Sequence, residues 1–147
     1  ALAARPHGAP RPSADGGPNY DATASWLAQN LPAIGRGTLN ELGDGAALQT
    51  TGFAITNCVV TWQFHLTAGQ DGGDWTQVIP FSRVAAVAAD ADHPGVEIRT
   101  AGNDIHQTVP IAKDFAQYWY PIASSDDAPQ AVAALNRLAQ LCRTRRS

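Results

Sequence analysis

Cys58-Val59-Val60-Thr61-Trp62-Gln63-Phe64-His65-Leu66-Thr67 is the stretch on which the fold turns. Cys58, Val60, Trp62, Phe64 and Leu66 alternate with Val59, Thr61, Gln63, His65 and Thr67. Successive side chains of a strand point to opposite faces, so the alternation predicts one apolar, aromatic face and one mostly polar face. That is the pattern of a half-buried antiparallel strand.

The same period of two extends from Gly37 to Ser124, punctuated by turn residues at Gly43-Asp44-Gly45, Asp71-Gly72-Gly73-Asp74, His93-Pro94-Gly95 and Gly102-Asn103-Asp104. Strands are expected near Ala46 to Ile55, Cys58 to Thr67, Trp75 to Phe81, Gly95 to Thr100, Ile105 to Ile111 and Gln117 to Ala123, with a weaker one near Thr38 to Leu42. Gly102-Asn103 reads as the tip of a hairpin. Val96, Ile98, Ile105, Val109 and Ile111 would then face inward, and Glu97, Arg99, His106 and Thr108 outward.

Two helices flank this region. Asp21 can cap the first, over 22–34, where Trp26, Leu27, Leu31 and Ile34 form a broadly apolar side that Pro32 and Gly35 end. The second spans 127–143. Asp126 and Asp127 favour its N-terminus, Pro129 takes an early position that needs no N–H, and Ala128, Ala131, Val132, Leu135, Leu138, Ala139 and Cys142 form one stripe. The fold class is therefore α+β, mainly β: about seven antiparallel strands closed by a C-terminal helix, with a short N-terminal helix. Residues 1–18, rich in Ala, Pro and Gly, read as a flexible leader, and 19–147 as one domain.

Composition narrows the function. The 147 residues are 44% hydrophobic and carry a net charge of −3, with no run approaching the roughly eighteen apolar residues of a membrane helix. Between Thr38 and Asp127, 11 acidic residues face three basic ones, a net charge of −8 that repels phosphate backbones and anionic headgroups. Nucleic acid, phosphoinositides and anionic membranes are thus not expected partners. The two cysteines permit one pairing: a Cys58–Cys142 disulfide and two separate buried thiols are both open. Ala1-Leu2-Ala3 fits the small-x-small pattern before signal-peptidase cleavage, which favours a periplasmic or secreted location over the cytoplasm.

Several pieces resemble bacterial members of the pleckstrin-homology-like (PH-like) superfamily: Trp26-Leu27 ahead of the strands, Cys58-Val59-Val60-Thr61-Trp62, Val78-Ile79-Pro80-Phe81-Ser82, Val96-Glu97-Ile98-Arg99-Thr100 and Ala134-Leu135-Asn136-Arg137-Leu138. The resemblance covers about residues 20 to 143. It implies a PH-like barrel, or two near-orthogonal sheets, plugged by the terminal helix and used for binding phosphoinositides, peptides or proteins. The loop that is basic in phosphoinositide-binding members corresponds here to Thr67 to Trp75, which has Asp71 and Asp74 and no Lys or Arg.

Candidate sites are few. Asp90-Ala91-Asp92-His93 could gather oxygen and imidazole ligands, and Gln70-Asp71-Gly72-Gly73-Asp74 could gather carboxylates, but both are also ordinary turn sequences and no metal or cofactor is expected. A hairpin at Gly102-Asn103 would set Arg99 opposite His106, making Glu97, Arg99 and His106 a polar surface cluster with a neutral imidazole. Tyr118-Trp119-Tyr120 is the aromatic concentration most suited to a partner surface. No nucleophile elbow, phosphate loop or His-Glu-x-x-His is present. The expected function is a non-enzymatic binding module for a protein partner. A carrier of a small apolar ligand beside Trp62 and Phe64, and a hydrolase centred on His106 or His93, are the alternatives.

Overall fold

A computed structural model describes residues 19–38, 47–67, 72–89 and 94–145. Helix α1 (Tyr20–Ile34) leads into β1 (Arg36–Thr38), β2 (Ala47–Thr56), β3 (Val59–Thr67) and β4 (Gly73–Pro80). A 3-10 turn at Phe81–Arg83 precedes β5 (Val84–Ala89), β6 (Gly95–Thr100), β7 (Ile105–Val109), β8 (Lys113–Phe115) and β9 (Gln117–Pro121), and α2 (Ala128–Arg145) follows. The leader, residues 39–42 of the weak first strand, the Asp90, Asp92 and His93 cluster, and Gln70 and Asp71 lie outside the described residues.

The strands form two antiparallel sheets, β1-β2-β3-β4-β7-β8 and β5-β6-β9, and no closed barrel among the described residues. As its alternation requires, β3 buries Val60, Trp62, Phe64 and Leu66. They pack between the sheets with Ile79, Ile98, Ile105 and Tyr120, while Leu27 and Leu31 of α1 and the Ala131, Leu135, Leu138 and Ala139 stripe of α2 close the core. No described helix is long and apolar enough to cross a membrane.

Local chemistry sets the element ends. The N-cap of α1 is Asn19, whose side chain accepts from the Ala22 amide at 2.8 Å, and not Asp21, which sits in the first turn where its charge favours the helix dipole. Pro32 lies within the helix, which ends at Gly35 with its N–H on the Leu31 carbonyl. The two-residue turn between β2 and β3 has positive φ at both Asn57 (50°) and Cys58 (65°), the left-handed pair that a tight hairpin demands.

The expected Gly102-Asn103 hairpin does not form. Its two flanking strands lie in different sheets: β6 pairs with β5 and β9, whereas β7 pairs with β4 and β8. The segment is a corner instead, tied by the Thr100 hydroxyl to the Gly102 carbonyl (2.6 Å) and by the Asp104 carboxylate to the Gly102 amide (2.8 Å). Two strands escape the alternation rule, β5 and the three-residue β8. Val109 and Ile111 are also corrected: β7 buries Ile105 and Gln107, then runs out of the core and leaves Val109 42% and Ile111 65% exposed.

Candidate functional site

The inward face of β3 and β4 meets that of β9 in a column of rings. Trp62 stacks on Tyr120 with centroids 3.9 Å apart and planes at 8°, and Phe53 meets the other side of this pair edge-on to Trp62 at 5.0 Å. Tyr120 contacts Tyr118 at 5.1 Å, Tyr118 contacts Phe115 at 5.0 Å, and Phe64 lies 6.1 Å from Trp75. These separations are the ordinary range for attractive ring pairs. The column begins fully buried and ends half-exposed at Phe115, Tyr118 and Trp75. Lys113 stands over the Phe115 ring at 5.3 Å, and Val109 and Ile111 are exposed at the corner where the chain turns from β7 to β8.

Polar groups at the foot of the column are paired. The Tyr120 hydroxyl donates to Gln77 Oε1 at 2.5 Å, Gln77 Nε2 donates to Gln107 Oε1 at 3.3 Å, and Gln107 Nε2 donates to the Ile111 carbonyl at 3.2 Å. Trp62 Nε1 donates to Thr50 Oγ1 at 3.0 Å. Burial, with a smaller push from Tyr118, raises the Tyr120 phenol well above its ordinary value, so it stays a donor at neutral pH. The Gln77-Gln107 chain fixes where the corner begins, because Ile111 is anchored by its carbonyl while its side chain faces solvent.

Of the expected partner residues Tyr118, Trp119 and Tyr120, the alternation holds, with Tyr118 and Tyr120 on the inner face and Trp119 on the other. Tyr120 is fully enclosed and cannot meet a partner directly, which leaves Tyr118 and Trp119 half-buried. Trp119 lies across Gly95, where an added Cβ would sit 2.5 Å from the indole, so glycine is needed for this approach. The polar cluster Glu97, Arg99 and His106 comes apart. Arg99 pairs across the sheet with Ala86 and Gln117 and stands 4.0 Å from Glu97, whereas His106 sits opposite Val78 and Asp114.

His106 Nδ1 lies 2.8 Å from Asp114 Oδ1, and His65 Nδ1 lies 3.0 Å from Asp74 Oδ1. Both pairs are exposed on the outer face of the larger sheet, and the sequence reading missed them because each partner is on a neighbouring strand. Among the described residues no hydroxyl or thiol is hydrogen-bonded to His106, and no group of three His, Cys, Asp or Glu is placed to hold a metal. Cys58 and Cys142 do come together: their Sγ atoms are at disulfide distance and their Cα atoms 5.7 Å apart, inside the range a disulfide needs.

No protein-family model matches the chain, and no curated protein or solved structure matches it.

Proposed function

We propose that this protein is a non-enzymatic, PH-like binding module that takes a protein partner at the corner between β7 and β8. The observation that carries the reading is the exposure of Ile111 (65%) and Val109 (42%) at the turn between β7 and β8. Exposed apolar side chains on an anchored turn, as here where the Gln107 amide holds the Ile111 carbonyl, are suited to the centre of an interface. Lys113 at the same corner suits a partner segment that sets an apolar anchor beside an acidic residue, and the net negative charge of the strand region argues against nucleic acid and anionic lipid. The interior rings pack on one another, which favours this outer corner over an internal ligand. A Cys58–Cys142 disulfide supports export to an oxidising compartment.

The test is site-specific photo-cross-linking in native extract. A photoreactive residue at position 111 is expected to give a discrete protein adduct that Val109→Glu abolishes. The same probe at Thr61, on the outer face of β3, is expected to give none. No adduct from position 111, or the same adducts from both, contradicts the reading.

A further inference from the structure

The free edge of β5 is occupied by a helix. β5 pairs with β6 on one side only, and on its other side Asn136 Nδ2 of α2 donates to the Val87 carbonyl at 3.0 Å while Arg143 Nη1 donates to the Val84 carbonyl at 2.8 Å. The two donors are seven positions apart, about 10.5 Å along α2. The two acceptors are three positions apart, about 10 Å along β5. The spacings match, so α2 runs antiparallel to β5 and presents donors where a neighbouring strand would present its N–H groups.

Uncovered, this edge would be open to pairing. Natural edges are blunted by charge, proline or a covering element, and from Val84 to Ala89 the strand holds only valine and alanine. Ala85, Ala88 and Ala89 are exposed and small enough to let another backbone approach. An antiparallel pair of strands related by a two-fold axis presents the same edge twice, so in two copies of this chain neither β5 edge brings a charge or a bulky side chain against the other.

Besides its buried stripe, the cover is fastened covalently at one point. Cys142 precedes Arg143 and meets Cys58 in the β2–β3 turn. That turn is itself held, since the Cys58 amide donates to the Tyr20 hydroxyl (3.2 Å) and the Cys58 carbonyl accepts from Phe81 (2.8 Å), three residues before β5 begins. Cys142 is fully buried and Cys58 partly exposed, so a small dithiol meets Cys58 first. Its thiolate attacks Cys58 Sγ, and Cys142 leaves as a thiolate that takes up a proton. The second thiol then displaces the Cys58 thiol and closes the reagent into a cyclic disulfide, so the dithiol supplies both electrons.

We infer that α2 is a redox-latched cover over β5, and that releasing it lets the β5 edges of two copies of this chain pair. The proposal uses a surface other than the β7–β8 corner and stands apart from the function proposed above. Sedimentation velocity on the full chain tests it, with near-ultraviolet circular dichroism reporting the fold. Oxidised protein is expected at the chain mass of 15.5 kDa, and dithiothreitol is expected to double that mass reversibly. Asn136 and Arg143 are exposed, so the Asn136→Ala, Arg143→Ala double variant leaves the core stripe intact and is expected to dimerise without reductant. Adding Ala89→Pro, at the uncovered end of the strand, is expected to restore the monomer. A folded double variant that stays monomeric, or a dimer that Ala89→Pro leaves intact, overturns the proposal. If reduction unfolds the wild type, the oxidised double variant decides.

Discussion

At the scale of single residues, Tyr120 joins packing to polarity: its ring stacks on Trp62 and its hydroxyl ends the Gln77-Gln107 chain. Because burial raises its proton affinity in the folded state, the folded protein holds more protons than the unfolded chain above the ordinary phenol value of about 10. Stability therefore falls as pH rises past that point, since the unfolded chain ionises first. We expect denaturant unfolding between roughly pH 9 and 11 to show this loss, and Tyr120→Phe to reduce its slope. At neutral pH the same variant should cost about 1–3 kcal/mol by leaving Gln77 short of a donor. Gly95 is the second sensitive position. Gly95→Val must displace the Trp119 indole and should lower stability by about 1–3 kcal/mol, read as a lower denaturant midpoint. The inward set Trp62 and Phe64 was legible from alternation alone; the His65–Asp74 and His106–Asp114 pairs were not, because strand register is not written in local sequence.

Among the elements, those with a clean period were readable and those without were not. The residues of β3 alternate and the stripe of α2 repeats at helical spacing, and both occur where expected. In β5, valine recurs every third residue and the pairing with β6 shifts between Val84 and Ala86, so no period of two survives to be seen. With only three residues, β8 is too short to show one. The Gly102-Asn103-Asp104 turn signal was real, but Arg83 and Thr100 recruit it to a corner between sheets, which moved His106 away from Arg99. Helix capping is testable here: Asn19→Ala should cost about 1 kcal/mol, whereas Asp21→Ala should cost only a few tenths, compared by thermal unfolding.

For the whole molecule, one covalent link joins regions 84 residues apart in sequence. Chain-entropy arguments put a loop of that length at about 4.5 kcal/mol of stabilisation. The Cys58→Ser, Cys142→Ser variant should lose a comparable amount in denaturant titration, with Asn136 and Arg143 no longer held over β5 by a fixed helix end. The sequence put both cysteines on expected core-facing positions, Cys58 at the start of a strand and Cys142 on the helix stripe; the structure sets Cys58 in the turn before β3, and the meeting of the two depends on how α2 crosses the sheets, which no local pattern records.

Helix α2 is fastened across the β-sheets at Cys58, and a count of free thiols reads that fastening. Protein purified without reductant, unfolded in guanidinium chloride with iodoacetamide and weighed by intact mass spectrometry, is expected to carry no alkyl group, and to carry two after prior reduction. Two alkyl groups without reduction would contradict it.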